Sequence, residues 1–231
     1  MPTRFTAEGL ELSDASVVPV YSGEFHYWRA ERSSWRAALE SLKALKLTTI
    51  SSVVPWSVHE TAPGRFDFSG QKDLGHFLDQ AHSLGLYVML RPGPNCNAQL
   101  SHFGFPERIL ADPEIQALGG RGTPLWLPAP PRMFPVPSYA SAKFQEEVGA
   151  WFRSFAEVVA PRMHPKGPLV ALQLDHEMQM FWRLAAFEGD YHPDALAWWK
   201  DYAGDIAPPR SYDHKDMPRL LQWQGFKEEY V

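Results

Sequence analysis

The chain has 231 residues, 45% of them hydrophobic and 13% aromatic, with 22 Lys+Arg against 27 Asp+Glu and a formal net charge of -5. This composition excludes a disordered chain, which could not bury a core, and it offers no basic surface for nucleic acid or an anionic membrane. One cysteine, Cys96, rules out an internal disulfide and fits a reducing compartment.

Taken in chain order, Val17–Ser22 reads as a short β-branched strand between Asp14 and Gly23. Ser33–Lys46 places Trp35, Ala38, Leu39, Leu42 and Leu45 at the spacing of an amphipathic helix. Thr48–Val54 is again β-branched and stops at Pro55. Ser69 can cap a second helix, whose inner face is Leu74, Phe77, Leu78, Ala81 and Leu84 and whose end is marked by Gly85. Leu86–Leu90 reads as a buried third strand running into Arg91-Pro92-Gly93-Pro94. Residues 95–137 are rich in Gly and Pro and too long for an ordinary connection, so a functional loop is expected there. Helical spacing returns in Ala142–Val159 through Phe144, Val148, Phe152, Phe155 and Val159. Pro168–Leu174 predicts a fourth strand, and two helical patterns follow around Asp194–Tyr202 and Lys215–Val231. Met1–Glu11 is mixed polar and lacks the apolar run of a signal peptide, so a cytoplasmic protein is expected, with no membrane partner.

Alternating strands and helices, with strands that are almost continuously apolar, imply a parallel sheet covered on both faces. A doubly wound sheet and a (β/α)8 TIM-barrel both satisfy that pattern. No GxGxxG follows the first strand and no GxxxxGK[ST] occurs, which removes the main support for the nucleotide-binding version. Polar and aromatic residues gather after each predicted strand, at Gly23–Tyr27, Pro55–Glu60, Arg91–Asn95 and Asp175–Glu177. Barrels collect their reactive groups at the C-terminal ends of strands, and that regularity favours the barrel. Only four βα units are legible, so the 231 residues read as one domain, the N-terminal half of such a barrel.

Glu177 is the leading acid. It lies just past an apolar strand, where partial burial would raise its pKa and keep a proton available near neutral pH. Glycoside hydrolysis uses such an acid opposite a second carboxylate, and Trp and Tyr at strand ends suit sugar recognition. The plainer reading is a helix-terminal or ion-paired carboxylate. His26, His59 and His176 with Glu60 and Asp175 lack the spacing of a metal site, so neither metal nor cofactor is expected. Cys96 reads as a small buried residue and Trp198-Trp199 as core.

The strand-end strings resemble glycoside hydrolase family 35 β-galactosidases. Ser22-Gly23-Glu24-Phe25-His26-Tyr27 with Arg29 is similar to SGExHYxR, and Val54-Pro55-Trp56 through His59-Glu60 to VPWNxHE. Pro63-Gly64-Arg65-Phe66-Asp67-Phe68-Ser69-Gly70 with Asp73-Leu74 resembles PGxFDFSGxxDL. Arg91-Pro92-Gly93-Pro94 matches RPGP, and Gln173-Leu174-Asp175-His176-Glu177 falls where the family has QxENE. The tail, with His192-Pro193-Asp194-Ala195-Leu196 and Trp223–Tyr230, is also similar to family 42.

The resemblance implies a retaining (β/α)8 glycosidase with Glu177 as acid/base. Its sugar contacts would come from Tyr27, Trp56, Ala98, Gln99 and His176. It departs from the family at Val53, where the family has Tyr, and at Ser57, where it has Asn. Gln99 replaces the Glu of an AEW segment, and His176 the Asn before the acid. Nothing after Glu177 reads as a strand bearing the nucleophile. The expectation is therefore the acid/base half of a β-galactosidase-like hydrolase, inactive alone, with a carbohydrate substrate. Open sheet edges would favour a homo-oligomer. The rival expectation is a non-catalytic sugar-binding or scaffold fragment.

Overall fold

A four-stranded parallel sheet organises the first part of the chain: Ser22–Glu24, Thr49–Val53, Tyr87–Gly93 and Leu169–Leu174, adjacent in that order. The structure, a computed structural model, describes residues 4–19, 21–97, 100–129, 132–176, 189–209 and 217–230. They divide into two compact units, residues 1–104 with 151–176 and residues 105–150 with 177–231.

In the first unit each strand is joined to the next by a helix-bearing segment, which parallel pairing requires. Thr49–Val53 is buried along its whole length, as expected of a β-branched strand with neighbours on both sides. Helix Trp35–Ala44 follows a short 3-10 turn and buries Trp35 and Leu39, while Leu45 falls at its C-terminal cap and is exposed. Helix Leu74–Ser83 buries Leu74, Phe77, Leu78 and Ala81, each large side chain contributing about 1.5–3 kcal/mol. Its cap is Asp73, which accepts from the His76 N–H, and not Ser69, which precedes a 3-10 turn instead. Asp is as good an N-cap as Ser, and Asp73 lies one residue before the apolar face begins.

Two expectations are corrected here. The Val17–Ser22 run is not one strand. Val17–Val18 pairs antiparallel with Leu10–Glu11 in a small three-stranded sheet, and the parallel strand starts at Ser22 after Pro19 has broken the run. The fourth parallel strand is not covered on both faces, since Leu172 and Leu174 are 43% and 62% exposed on an edge of the sheet. Helix Ala142–Val159 enters this unit at Trp151 and buries Trp151, Phe155 and Val159.

The second unit contains most of the Gly/Pro-rich stretch, and the described residues of that stretch are folded. It holds helix Glu107–Ala111 and an antiparallel ribbon of Trp126–Ala129 with Arg132–Pro135. Leu127 and Phe134 face each other across the ribbon and are buried, so alternation sets one face inward. Helices Pro193–Ala203 and Met217–Tyr230 contribute to an aromatic core of Tyr191, Trp199, Trp223 and Phe226. Among the described residues no helix is long and apolar enough to cross a membrane.

Candidate active site

At the C-terminal ends of the parallel strands the side chains fall into a buried layer and an accessible layer. The buried layer begins with Tyr27, which has no exposed surface and bonds His59 Nε2 at 2.7 Å through its hydroxyl. His59 Nδ1 lies 2.8 Å from the Asp67 carbonyl, which can only accept. Nδ1 therefore carries the hydrogen, Nε2 accepts, and the Tyr27 hydroxyl donates. Burial lowers the His59 pKa to about 4, so the ring is neutral in this network. Burial also raises the Tyr27 pKa well above its ordinary value, so the hydroxyl keeps its proton.

Trp56 is likewise fully buried, stacked parallel to Trp151 with ring centroids 6.5 Å apart, and its N–H reaches Glu60 Oε1 at 3.3 Å. Trp151 donates to the Pro92 carbonyl at 2.9 Å, and Trp28 donates to the Val53 carbonyl at 2.9 Å. Both acceptors are strand-end groups, so the aromatic residues fasten the strand ends from behind. Tyr27 and Trp56, expected as sugar contacts, are fully buried and show no surface with which to touch a ring.

The accessible layer starts with Glu24. A Cβ added to Gly23 would come within 2.5 Å of Leu47 Cδ1, so Gly23 faces the helices and its neighbour Glu24 faces the opposite side of the sheet. Glu24 is 51% exposed, pairs with the Arg91 guanidinium from the third strand and lies 3.8 Å from His26 Nε2. Burial and the positive charge of Arg29 lower the His26 pKa. Glu60 also accepts from the Gly64 N–H at 3.3 Å.

Beyond Arg91 the chain turns through Gly93, whose φ of 84° is unfavourable for any side chain. Asn95 then bonds both residues that precede Glu177. Its N–H reaches Asp175 Oδ1 at 3.0 Å and its Nδ2 reaches the His176 carbonyl at 2.6 Å. His176 is half-buried, with its N–H donated to the Asn95 carbonyl at 2.9 Å. Ala98, Gln99 and Glu177 lie outside the described residues. Cys96 is fully buried, as its residue type suggested. Among the described residues no three His, Cys, Asp or Glu side chains gather as a metal site would require.

The sequence marks Asn95 and Asp175 as polar strand-end residues, and Asp175 as a metal ligand weighed and set aside, but it does not pair them. The available signal was a polar residue directly after Arg91-Pro92-Gly93-Pro94 and an Asp, which tolerates the left-handed backbone, directly after the fourth strand.

Residues 12–118 match the family model for glycosyl hydrolases family 35. The chain is 29% identical to an exo-β-D-glucosaminidase of Pyrococcus horikoshii, over 95% of this chain and 32% of that protein. It is 35% identical to human β-galactosidase-1-like protein 2, over 68% of this chain and 22% of that protein. The chain thus spans about a fifth to a third of the length of these relatives. A β-galactosidase structure from the psychrophilic Marinomonas ef1 superposes on 79% of this chain and 25% of its own, with a TM-score of 0.59 and 20% identity. That superposition places the α/β architecture with those enzymes.

Proposed function

We propose, for a chain that belongs to glycoside hydrolase family 35 through residues 12–118, that it carries the acid/base half of a retaining β-glycosidase acting on terminal sugars. The observation that carries this reading is the family match itself. It covers the first three parallel strands together with their C-terminal ends. The four-stranded parallel sheet is then the first half of a (β/α)8 barrel.

In this reading Glu177 protonates the departing glycosidic oxygen and afterwards takes a proton from water. His176 and Gln99 contact the sugar. Trp28 and Trp151 hold the strand ends on which those contacts depend. The nucleophilic carboxylate of the retaining pair is assigned to no residue of this chain. The relatives' names point to two sugars, galactose and glucosamine, each in β-linkage.

The test is Glu177→Gln in the full-length protein that carries this sequence, assayed with aryl β-galactosides and aryl β-glucosaminides. Loss of the acid should lower turnover by about 100-fold or more. Unchanged turnover would remove Glu177 from the mechanism. A second reading, a non-catalytic sugar-binding module, is favoured by Val53, Gln99 and His176 standing where the family pattern has Tyr, Glu and Asn. It predicts calorimetric binding of galactose or glucosamine with no hydrolysis by the full-length protein.

A further inference from the structure

One residue stitches the third strand end to the fourth. Asn95 has no exposed surface, and each of its polar groups is engaged. Its N–H donates to Asp175 Oδ1 at 3.0 Å and its Nδ2 to the His176 carbonyl at 2.6 Å. Its Oδ1 accepts from the Asn97 N–H at 3.2 Å, and its own carbonyl accepts from the His176 N–H at 2.9 Å. The amide orientation follows from these partners, since the NH2 meets a carbonyl and the oxygen meets an N–H. Asp175 is held at a φ of 56°, a narrow region for a residue with a side chain, and its carboxylate is tied to Asn95.

We propose that Asn95 is a positioning residue for the reaction: its amide fixes the peptide plane through which the chain enters Glu177, and with it the aim of the acid. The inference rests on the reading of Glu177 as that acid. The His176 carbonyl oxygen lies in the same rigid plane as the nitrogen of residue 177, because the peptide unit is planar. A hydrogen bond to that oxygen holds this unit, and the His176 N–H, which lies in the preceding peptide unit, is held by the Asn95 carbonyl, so the chain is restrained on both sides of the His176 Cα. Losing the Nδ2 donor would free the plane and leave the carbonyl of half-buried His176 without this partner. The same amide holds the Asn97 N–H, so the chain entering Ala98-Gln99 starts from the same anchor.

The experiment compares Asn95→Asp and Asn95→Ala with wild type in the full-length protein, using aryl β-glycosides across a pH series. A misplacement of about 1 Å costs on the order of 100-fold in rate, so kcat should fall by about that factor at neutral pH in both variants, with KM changed far less. The two variants should part as pH falls. The carboxyl introduced in Asn95→Asp gains a proton, can donate its O–H to the His176 carbonyl, and recovers kcat relative to wild type. Asn95→Ala recovers nothing. A purely structural defect would lower the active fraction without that pH-dependent rescue.

Hydrogen exchange supplies a readout independent of activity. Asp175 and His176 amides should exchange faster in Asn95→Ala, while helix Leu74–Ser83 keeps its protection. Unchanged exchange at those amides overturns the inference, and so does an active wild type matched by Asn95→Asp at every pH. A wild type that hydrolyses none of the glycosides sinks the proposed function and the aiming role with it. The exchange result still decides whether Asn95 holds the turn.

Discussion

In the first unit, the indole N–H groups of Trp28 and Trp151 are bonded to the carbonyls of Val53 and Pro92, both at ends of parallel strands. In the second unit, Trp199 and Trp223 are bonded to the carbonyls of Ile206 and Gly189, in the connections on either side of helix Pro193–Ala203. The two units solve the same problem, a buried or half-buried indole that needs an acceptor, with different consequences. Where the acceptor is a strand end, the indole ties down the backbone at the C-terminal edge of the parallel sheet. Where it is a helix connection, the core only closes a small bundle. An aromatic excess in a sequence therefore does not by itself mark a sugar platform.

The strongest way to break this comparison is to delete one indole from each unit. Trp151→Ala and Trp223→Ala should each cost about 3–5 kcal/mol in urea unfolding, as large buried aromatics do. Only Trp151→Ala should also speed amide exchange around residues 93–97, because it alone releases the Pro92 carbonyl. Equal exchange in the two variants would erase the distinction between the units.

A sharper probe is the pH dependence of the first unit. His59 is neutral when folded, with its pKa near 4, against an ordinary value of 6.5. Between these values the unfolded chain binds more protons than the folded one, so stability is full above pH 6.5 and declines as pH falls toward 4. The decline should amount to about 3 kcal/mol. His59→Gln keeps an acceptor for Tyr27 and should flatten that part of the pH–stability curve measured by denaturant titration. The smallest effect belongs to Asp73→Ala. Removing the cap of helix Leu74–Ser83 should cost about 1 kcal/mol and leave the strand ends in place.

Legibility in the sequence followed the strength of the local signal. Helix Ala142–Val159 has the same bounds in sequence and structure, because five apolar residues recur at helical spacing over 18 residues. The second, third and fourth parallel strands were legible within a few residues as apolar or β-branched runs, whereas the first was read too early, across Pro19. Prolines hid the ribbon of residues 126–135. Pro128 and Pro135 would be excluded from a central strand, yet a two-stranded ribbon leaves outer edges that need no N–H donor. Tyr27 and Trp56 were placed correctly at strand ends, but their burial depends on Trp151 and His59, which arrive from elsewhere in the chain. The Asn95 stitch lay beyond sequence reasoning for the same reason: it joins residues 80 and 81 positions apart.

Cys96 sits inside this same corner. Its Sγ lies 3.7 Å from the Arg91 carbonyl, and a Cβ on Gly93 or Gly104 would approach the cysteine side chain to 3.1 Å. Burial and the nearby Asp175 carboxylate push its thiol pKa far up, so the closed corner offers almost no reactive thiolate. As the single thiol of the chain, it is a built-in clock. The rate at which a colorimetric disulfide reagent consumes it reports how often the strand ends come apart.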